Sequence, residues 1–287
     1  YTVIKDSQEY ALSFGGELTD ETLQQIVSDY QQMEADGMEK ELEKTDWQIV
    51  NSWLGTLYPE LRDTSNYKTM ISYVDPDKLT GFYERRQQVL DEFLEISGQV
   101  GAEKEFLHQM ERKVEKPFHY EWVEGWSTLL GSMVADLGVV MALFLGIVLS
   151  SLFAGEWHDN TSTLVLTTRN GWGKIALAKI LTGFAFTVEL FALLAVSSVI
   201  SQLLFMGTAG WNMPIQNIKL IAVAPMNMLQ AEIYEYAFVL LGAIGFAGIV
   251  MFISAAVKNN VLTLLLSLAV VYGPMMIAEY LPYGMQK

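Results

Sequence analysis

Gly171-Trp172-Gly173-Lys174 is the first place where residue types and spacing suggest chemistry, because a glycine-rich turn closed by lysine can cradle phosphates. The spacing does not carry it. A phosphate loop needs a glycine five residues before the Gly-Lys pair and Ser or Thr after the lysine, and Thr168 and Ile175 stand there instead. His108, His119 and His158 are far apart and lack HExxH spacing, so no zinc site is expected. The 287 residues contain no cysteine and no GxSxG elbow. Ser150 and Ser151 lie in an apolar run, where hydroxyls bond neighbouring helices or their own backbone. No catalytic residue, metal or resident cofactor is expected, so the chain does not read as an enzyme.

Acids inside apolar runs are the next candidates: Asp136, Glu189 and Glu279. A charge at membrane depth is costly and faces protein or water. Glu189 lies mid-run and is the most expensive, reading equally as a structural hydrogen bond or as the lining of a conduit. Asp136 and Glu279 lie nearer run ends, within reach of headgroups.

The runs that position these acids divide the chain in two. Through Thr128 there are 26 acidic against 12 basic residues, and beyond it 7 against 6. Such a shift points to two regions in two solvents: an acidic domain, 1–128, and a membrane domain, 129–287. The acidity reads as a solvated surface, and the few scattered basic residues exclude a nucleic-acid footprint. Four stretches reach the about 20 apolar residues that cross hydrocarbon: 129–153, 175–206, 236–257 and 261–283. The fold class is thus an all-α transmembrane bundle with a mainly helical outer domain.

Arg169, Lys174 and Lys179 lie between the first two runs and Lys258 between the last two; the opposite side has only Lys219 and Lys287. Positive residues stay in the cytoplasm, which places 154–174 inside and 1–128 outside a multi-pass plasma-membrane protein. Trp122 and Trp126 fit an aromatic belt before the first run. An outer region without a signal segment predicts a further span before Tyr1.

The outer region shows helical stripes. Thr19 caps a helix carrying Leu23, Ile26, Val27, Tyr30 and Met33, stopped by Gly37. Thr80 caps a second, with Phe82, Val89, Phe93 and Ile96 on one side. A third continues to Pro117, 45–61 forms a short apolar helix, and 66–78 a strand or turn. Residues 1 to about 118 are therefore expected to fold alone.

Gly138, Ala142, Gly146 and Ser150 are four apart, and Ala243, Gly245, Ala247 and Gly248 make a second small face. Small residues let helices approach closely in lipid, which predicts a compact bundle.

The joint GEWHDNTSTLVLTTRNGWGKIALAK, residues 155–179, remains. Thr161 and Thr163 can cap a turn carrying Leu164, Val165 and Leu166, a short amphipathic helix for a cytoplasmic partner to grip. Glu156 could pair with Arg169 and hold that helix to the membrane. Together, residues 153–181 resemble the intracellular loop of ABC-2 type permeases, the membrane subunits of ABC exporters. Glu156, Thr161, Leu164, Leu166, Thr168 and Lys179 fall on the family's pattern, with Asn160 replacing its glycine and Arg169 its proline. Residues 117–130 resemble Gram-positive members with a large extracellular domain between the first and second helices.

The resemblance implies six spans in the full chain, of which these are the second to fifth. It implies a separate ATPase subunit holding ATP and Mg, a second permease subunit, identical or not, and membrane lipid around both. The loop would be a coupling helix, with Arg169 and Lys174 among the residues meeting the ATPase. The function implied is efflux of a peptide, antibiotic, lipid-like or other hydrophobic substrate. The alternative is a membrane sensor whose outer domain binds a ligand.

Overall fold

The computed structural model describes residues 15–37, 47–63, 65, 68–121, 123–158, 161, 167 and 173–280. Two compact units emerge: one runs to Leu130 and takes in Ser201–Glu232, the other holds Gly131–Ile200 and the residues from Ile233.

In the first unit, β1 (Gly16–Leu18) pairs antiparallel with β2 (Phe118–Tyr120). Between them come α1 (Asp20–Ala35), α2 (Trp47–Leu57), α3 (Phe82–Ile96) and α4 (Ala102–Glu111), with 3-10 turns at Met70–Ser72 and Pro76–Lys78. The Thr19 hydroxyl accepts from the Thr22 N–H at 3.2 Å, so α1 starts where its sequence predicts. Leu23, Ile26 and Val27 are buried, and Gly37 leaves the helix at φ +72°, a conformation glycine adopts without steric cost. The short strand pair is absent from the sequence expectation, because three-residue strands show too little alternation to read.

The second stripe needs correction. Gly81, not Thr80, is the N-cap of α3, and it offers no side chain. Asp20 supplies the missing acceptor from another helix, taking the Gly81 and Phe82 N–H groups at 2.7 and 2.9 Å. The buried face is Phe82, Arg86, Leu90 and Leu94, while Phe93 and Ile96 are exposed. An arginine at a core position hid the true face from a hydrophobic reading. α4 also stops at Glu111, short of Pro117.

Arg86 is fully buried and pairs with Glu111 through both terminal nitrogens. Its Nε donates to the Leu220 carbonyl at 2.6 Å and its second terminal nitrogen to Ala222 at 2.9 Å. Trp53 Nε1 donates to the Asn217 carbonyl at 3.1 Å, and Asn217 Nδ2 donates to His119 at 2.9 Å. These bonds build the segment 215–222 into the first unit's interior. Trp126, expected in an aromatic belt, is buried, and Trp122 lies outside the described residues.

In chain order, α5 (Glu124–Thr128) passes through a π turn, Leu129–Met133, into α6 (Val134–His158); α7 (Lys174–Met206), α8 (Met228–Val257) and α9 (Asn260–Tyr280) follow. Glu124–Trp157, Lys174–Met206 and Met228–Val257 are long and apolar enough to cross a membrane. At 1.5 Å per residue, about 20 residues cover the hydrocarbon. Of the four expected spans, three are found among the described residues; the fourth stretch falls on α9, whose described apolar part covers Asn260–Pro274. α6 also runs to His158, past the expected start of the loop, and α8 begins before 236.

The second unit's core gathers Leu137, Met141, Leu145 and Leu149 of α6 with Phe246, Ala247 and Val250 of α8. Ala142, Gly146 and Ser150 are buried and Gly138 partly so. Only one end of that stripe is close-packed. A Cβ on Gly146 would lie 3.3 Å from Leu264 Cδ1, whereas one on Gly138 would meet nothing within 4 Å. Gly138 and Ala142 instead line an apolar cavity of about 240 Å³ with Gly242, Ala243 and Phe246. The tightest approach was not foreseen: a Cβ on Gly183 of α7 would lie 2.5 Å from Met251 Sδ.

Candidate functional site

Polar residues of the second unit converge where α6 ends, α7 begins and α8 turns into α9. Near the end of α6 lie Phe153, Glu156 and Trp157, with Glu156 about two turns beyond Leu149, the last buried leucine of the helix. Glu156 Oε1 accepts from Lys179 Nζ at 2.6 Å, with both side chains partly buried. The same ammonium donates to the Leu152 carbonyl at 2.5 Å and lies 5.1 Å from the Phe153 ring centre. Lys179 thus satisfies a carbonyl in the last turns of α6 and its carboxylate together, joining α6 to α7. Cations near a helix C-terminus are favoured by the backbone dipole as well.

Among the described residues Glu156 pairs with Lys179; Arg169, its expected partner, lies outside them. Lys179 lies one and a half turns into α7, and helical geometry points it back at α6. The turn that Thr161 was expected to cap lies outside the described residues. The Thr161 N–H and hydroxyl both donate to the Glu156 carbonyl, at 3.0 and 3.4 Å, so they close the end of α6. Lys174 is exposed at the first turn of α7. Leu164, Leu166, Thr168 and Arg169 lie outside the described residues, as do Asn160 and Thr163.

Ser254 of α8 was not singled out from sequence, yet it ties the same region together. It is fully buried, donates to the Ser150 carbonyl at 2.7 Å and accepts from the Phe153 and Ala154 N–H groups at 3.1 and 3.0 Å. A hydroxyl of α8 is thereby inserted into the hydrogen-bond ladder of α6. Ser150 and Ser151 turn their own hydroxyls to the carbonyls of Ile147 and Val148, the back-bonding expected of them. Beside Ser254, Lys258 takes a left-handed φ of 58° in the joint to α9 and places its ammonium 3.8 Å from the Trp157 ring centre. Asn259 Oδ1 caps α9 by accepting from the Leu262 N–H at 3.0 Å.

Asp136 and Glu189 are exposed on the second unit, and neither makes a hydrogen bond or ion pair among the described residues. Glu189 does not bond within this unit; its carboxylate faces outward from α7.

Three helices long and apolar enough to cross a membrane, in a mainly helical chain, fit an all-α membrane protein. Comparison with protein-family models, with curated proteins and with solved structures finds no match for this chain.

Proposed function

We propose that the chain is the permease subunit of an ATP-driven exporter, with the joint between α6 and α7 receiving force from a separate ATPase subunit. One observation carries the reading: the end of α6 is locked to α7 by Lys179 and to α8 by Ser254, so a push on the joint moves three helices together. A lever must be stiff at its root, and a solvated loop between independent helices would dissipate the push. Glu156 and Lys179 fall on the permease pattern and are the residues that form the lock. The outward carboxylate of Glu189 supports a second subunit or a wet conduit alongside α7, since lipid cannot solvate it. ATP and Mg belong to the partner, and the cargo is a hydrophobic or amphipathic molecule.

The test is affinity purification of the full chain from its native membrane, followed by ATP hydrolysis in liposomes. A co-purifying ATPase with phosphate-loop motifs is expected, and Glu156→Ala is expected to keep it bound while uncoupling hydrolysis from cargo movement. Normal coupling in Glu156→Ala, or purification without any such ATPase, overturns the proposal.

A further inference from the structure

The first unit contains a cavity of about 510 Å³ between the segment 113–119 and the returning segment 212–230. This lies within the about 300–1,000 Å³ of small-ligand sites. Its accessible lining is polar: Lys113, Glu115, His119, Asn212 and Gln230 are exposed, and Asn227 is partly buried. Two of these side chains have a fixed orientation. The Asn227 N–H donates to Gln230 Oε1 at 3.1 Å, and the Gln230 N–H donates to Asn227 Oδ1 at 2.8 Å. This reciprocal cap takes up both amide oxygens, because an amide nitrogen cannot accept. Asn227 Nδ2 and Gln230 Nε2 are left as donors without an acceptor among the described residues. Lys113, on the facing segment, has no carboxylate partner among them either.

The backbone at the start of α8 adds no donor, since the Met228 and Leu229 N–H groups already reach the Met213 and Trp211 carbonyls, both at 3.0 Å. What remains is a set of side-chain donors across from Glu115, the carboxylate of the lining. Donors of this kind match an acceptor-only group such as a phosphate, and the carboxylate matches an ammonium. Position narrows the choice further. α8 has 30 residues, about 45 Å at 1.5 Å per residue, against about 40–45 Å for a bilayer with its headgroups. Its apolar run begins only at 236, so Asn227 and Gln230 lie at headgroup depth. A free anion would meet the field of 26 acidic against 12 basic residues through Thr128, whereas a zwitterion carries no net charge to repel.

We infer that this cavity holds the headgroup of a zwitterionic phospholipid with a primary ammonium, phosphoethanolamine in its chemistry. The phosphate oxygens accept from Asn227 Nδ2, Gln230 Nε2 and Lys113 Nζ, and the ammonium donates to Glu115. A phosphocholine headgroup has no N–H for Glu115, and a phosphoglycerol headgroup has no cation. The inference is independent of the export reading and needs only a chain that lies in a membrane.

The test is lipid retention by the full chain, purified in mild detergent with equal amounts of phosphatidylethanolamine, phosphatidylcholine and phosphatidylglycerol of identical acyl chains. Mass spectrometry of the purified protein counts the lipid kept. Phosphatidylethanolamine is expected to be enriched at least about threefold over each of the others, the scale of exposed ion pairs. Lys113→Ala and Gln230→Ala should each lower its retention. Glu115→Gln should remove the preference for ethanolamine over choline and keep the total phospholipid. All three positions are exposed, so the variants leave the interior intact. Soluble glycerophosphoethanolamine should displace the lipid, and inorganic phosphate at the same concentration should not. Equal retention of the three lipids, preference for phosphatidylglycerol, or an ethanolamine preference unchanged in Glu115→Gln overturns the inference. Retention undiminished in both alanine variants does so too, and displacement by inorganic phosphate would assign the cavity to a soluble anion instead.

Discussion

Arg86 shows how a single polar residue can organise an interior. Burial pushes the Glu111 carboxyl up, but hydrogen bonds from Arg86 and Lys116 outweigh it and hold its pKa below the ordinary value. A carboxylate depressed in the folded state stabilises above its unfolded pKa, and that contribution disappears as pH falls through the folded value. Melting followed by tryptophan fluorescence should therefore drop from pH 7 to pH 3, and less steeply in Glu111→Gln. Arg86→Met should cost about 3–5 kcal/mol at neutral pH, because it leaves the buried Glu111 carboxylate only Lys116 and strips the donor from two carbonyls; an unchanged melting temperature would contradict this. Tyr58 and Tyr83 behave oppositely. Burial raises both to about 12, so their contribution is whole below the ordinary phenol pKa and is lost as pH climbs through the folded value. Tyrosinate absorbance should show two groups titrating late, together with alkaline unfolding.

Between helices, the decisive variable is how near the backbones come, which small residues permit but do not enforce. Gly183→Ala sets a Cβ against Met251 Sδ, and overpacking of this kind costs about 1–3 kcal/mol even when a flexible side chain yields. Gly138→Ala meets empty space and should be neutral or slightly stabilising. Thermal size-exclusion of the two variants in one detergent gives the comparison; equal loss in both would refute it. Ser254→Ala should loosen the junction of α6 and α8, since three backbone groups of α6 lose their partner.

For the whole molecule, chain order and compactness disagree. The first unit recruits Ser201–Glu232 from beyond two long helices, so a fragment ending near 118 lacks the carbonyls that Arg86 and Trp53 bind. Residues 1–118 alone should be less stable than the same residues linked to 201–232, as measured by urea unfolding. The sidedness that follows from basic residues is tested by labelling Glu21→Cys and Gly173→Cys, both exposed positions in a chain without native cysteine. An impermeant maleimide should reach 21 from outside and spare 173; the reverse pattern would invert the topology.

Much of this architecture was legible along the chain because hydrophobic burial is periodic and local. The stripe after Thr19 and three long apolar helices are patterns of neighbours, and helices form over them. Glu156 was legible as an acid near a helix end for the same reason. Its partner was not, because pairing with Lys179 depends on how two helices meet after a joint. Arg86 on a buried face, Asp20 capping a helix it does not belong to, and Ser254 bonded to a different helix's backbone all join residues far apart in sequence. Such bonds leave no local period, and a polar residue in the interior looks from sequence like one at the surface. Only the tertiary structure decided which polar groups were inside, because only there does each find the partner that offsets its loss of water.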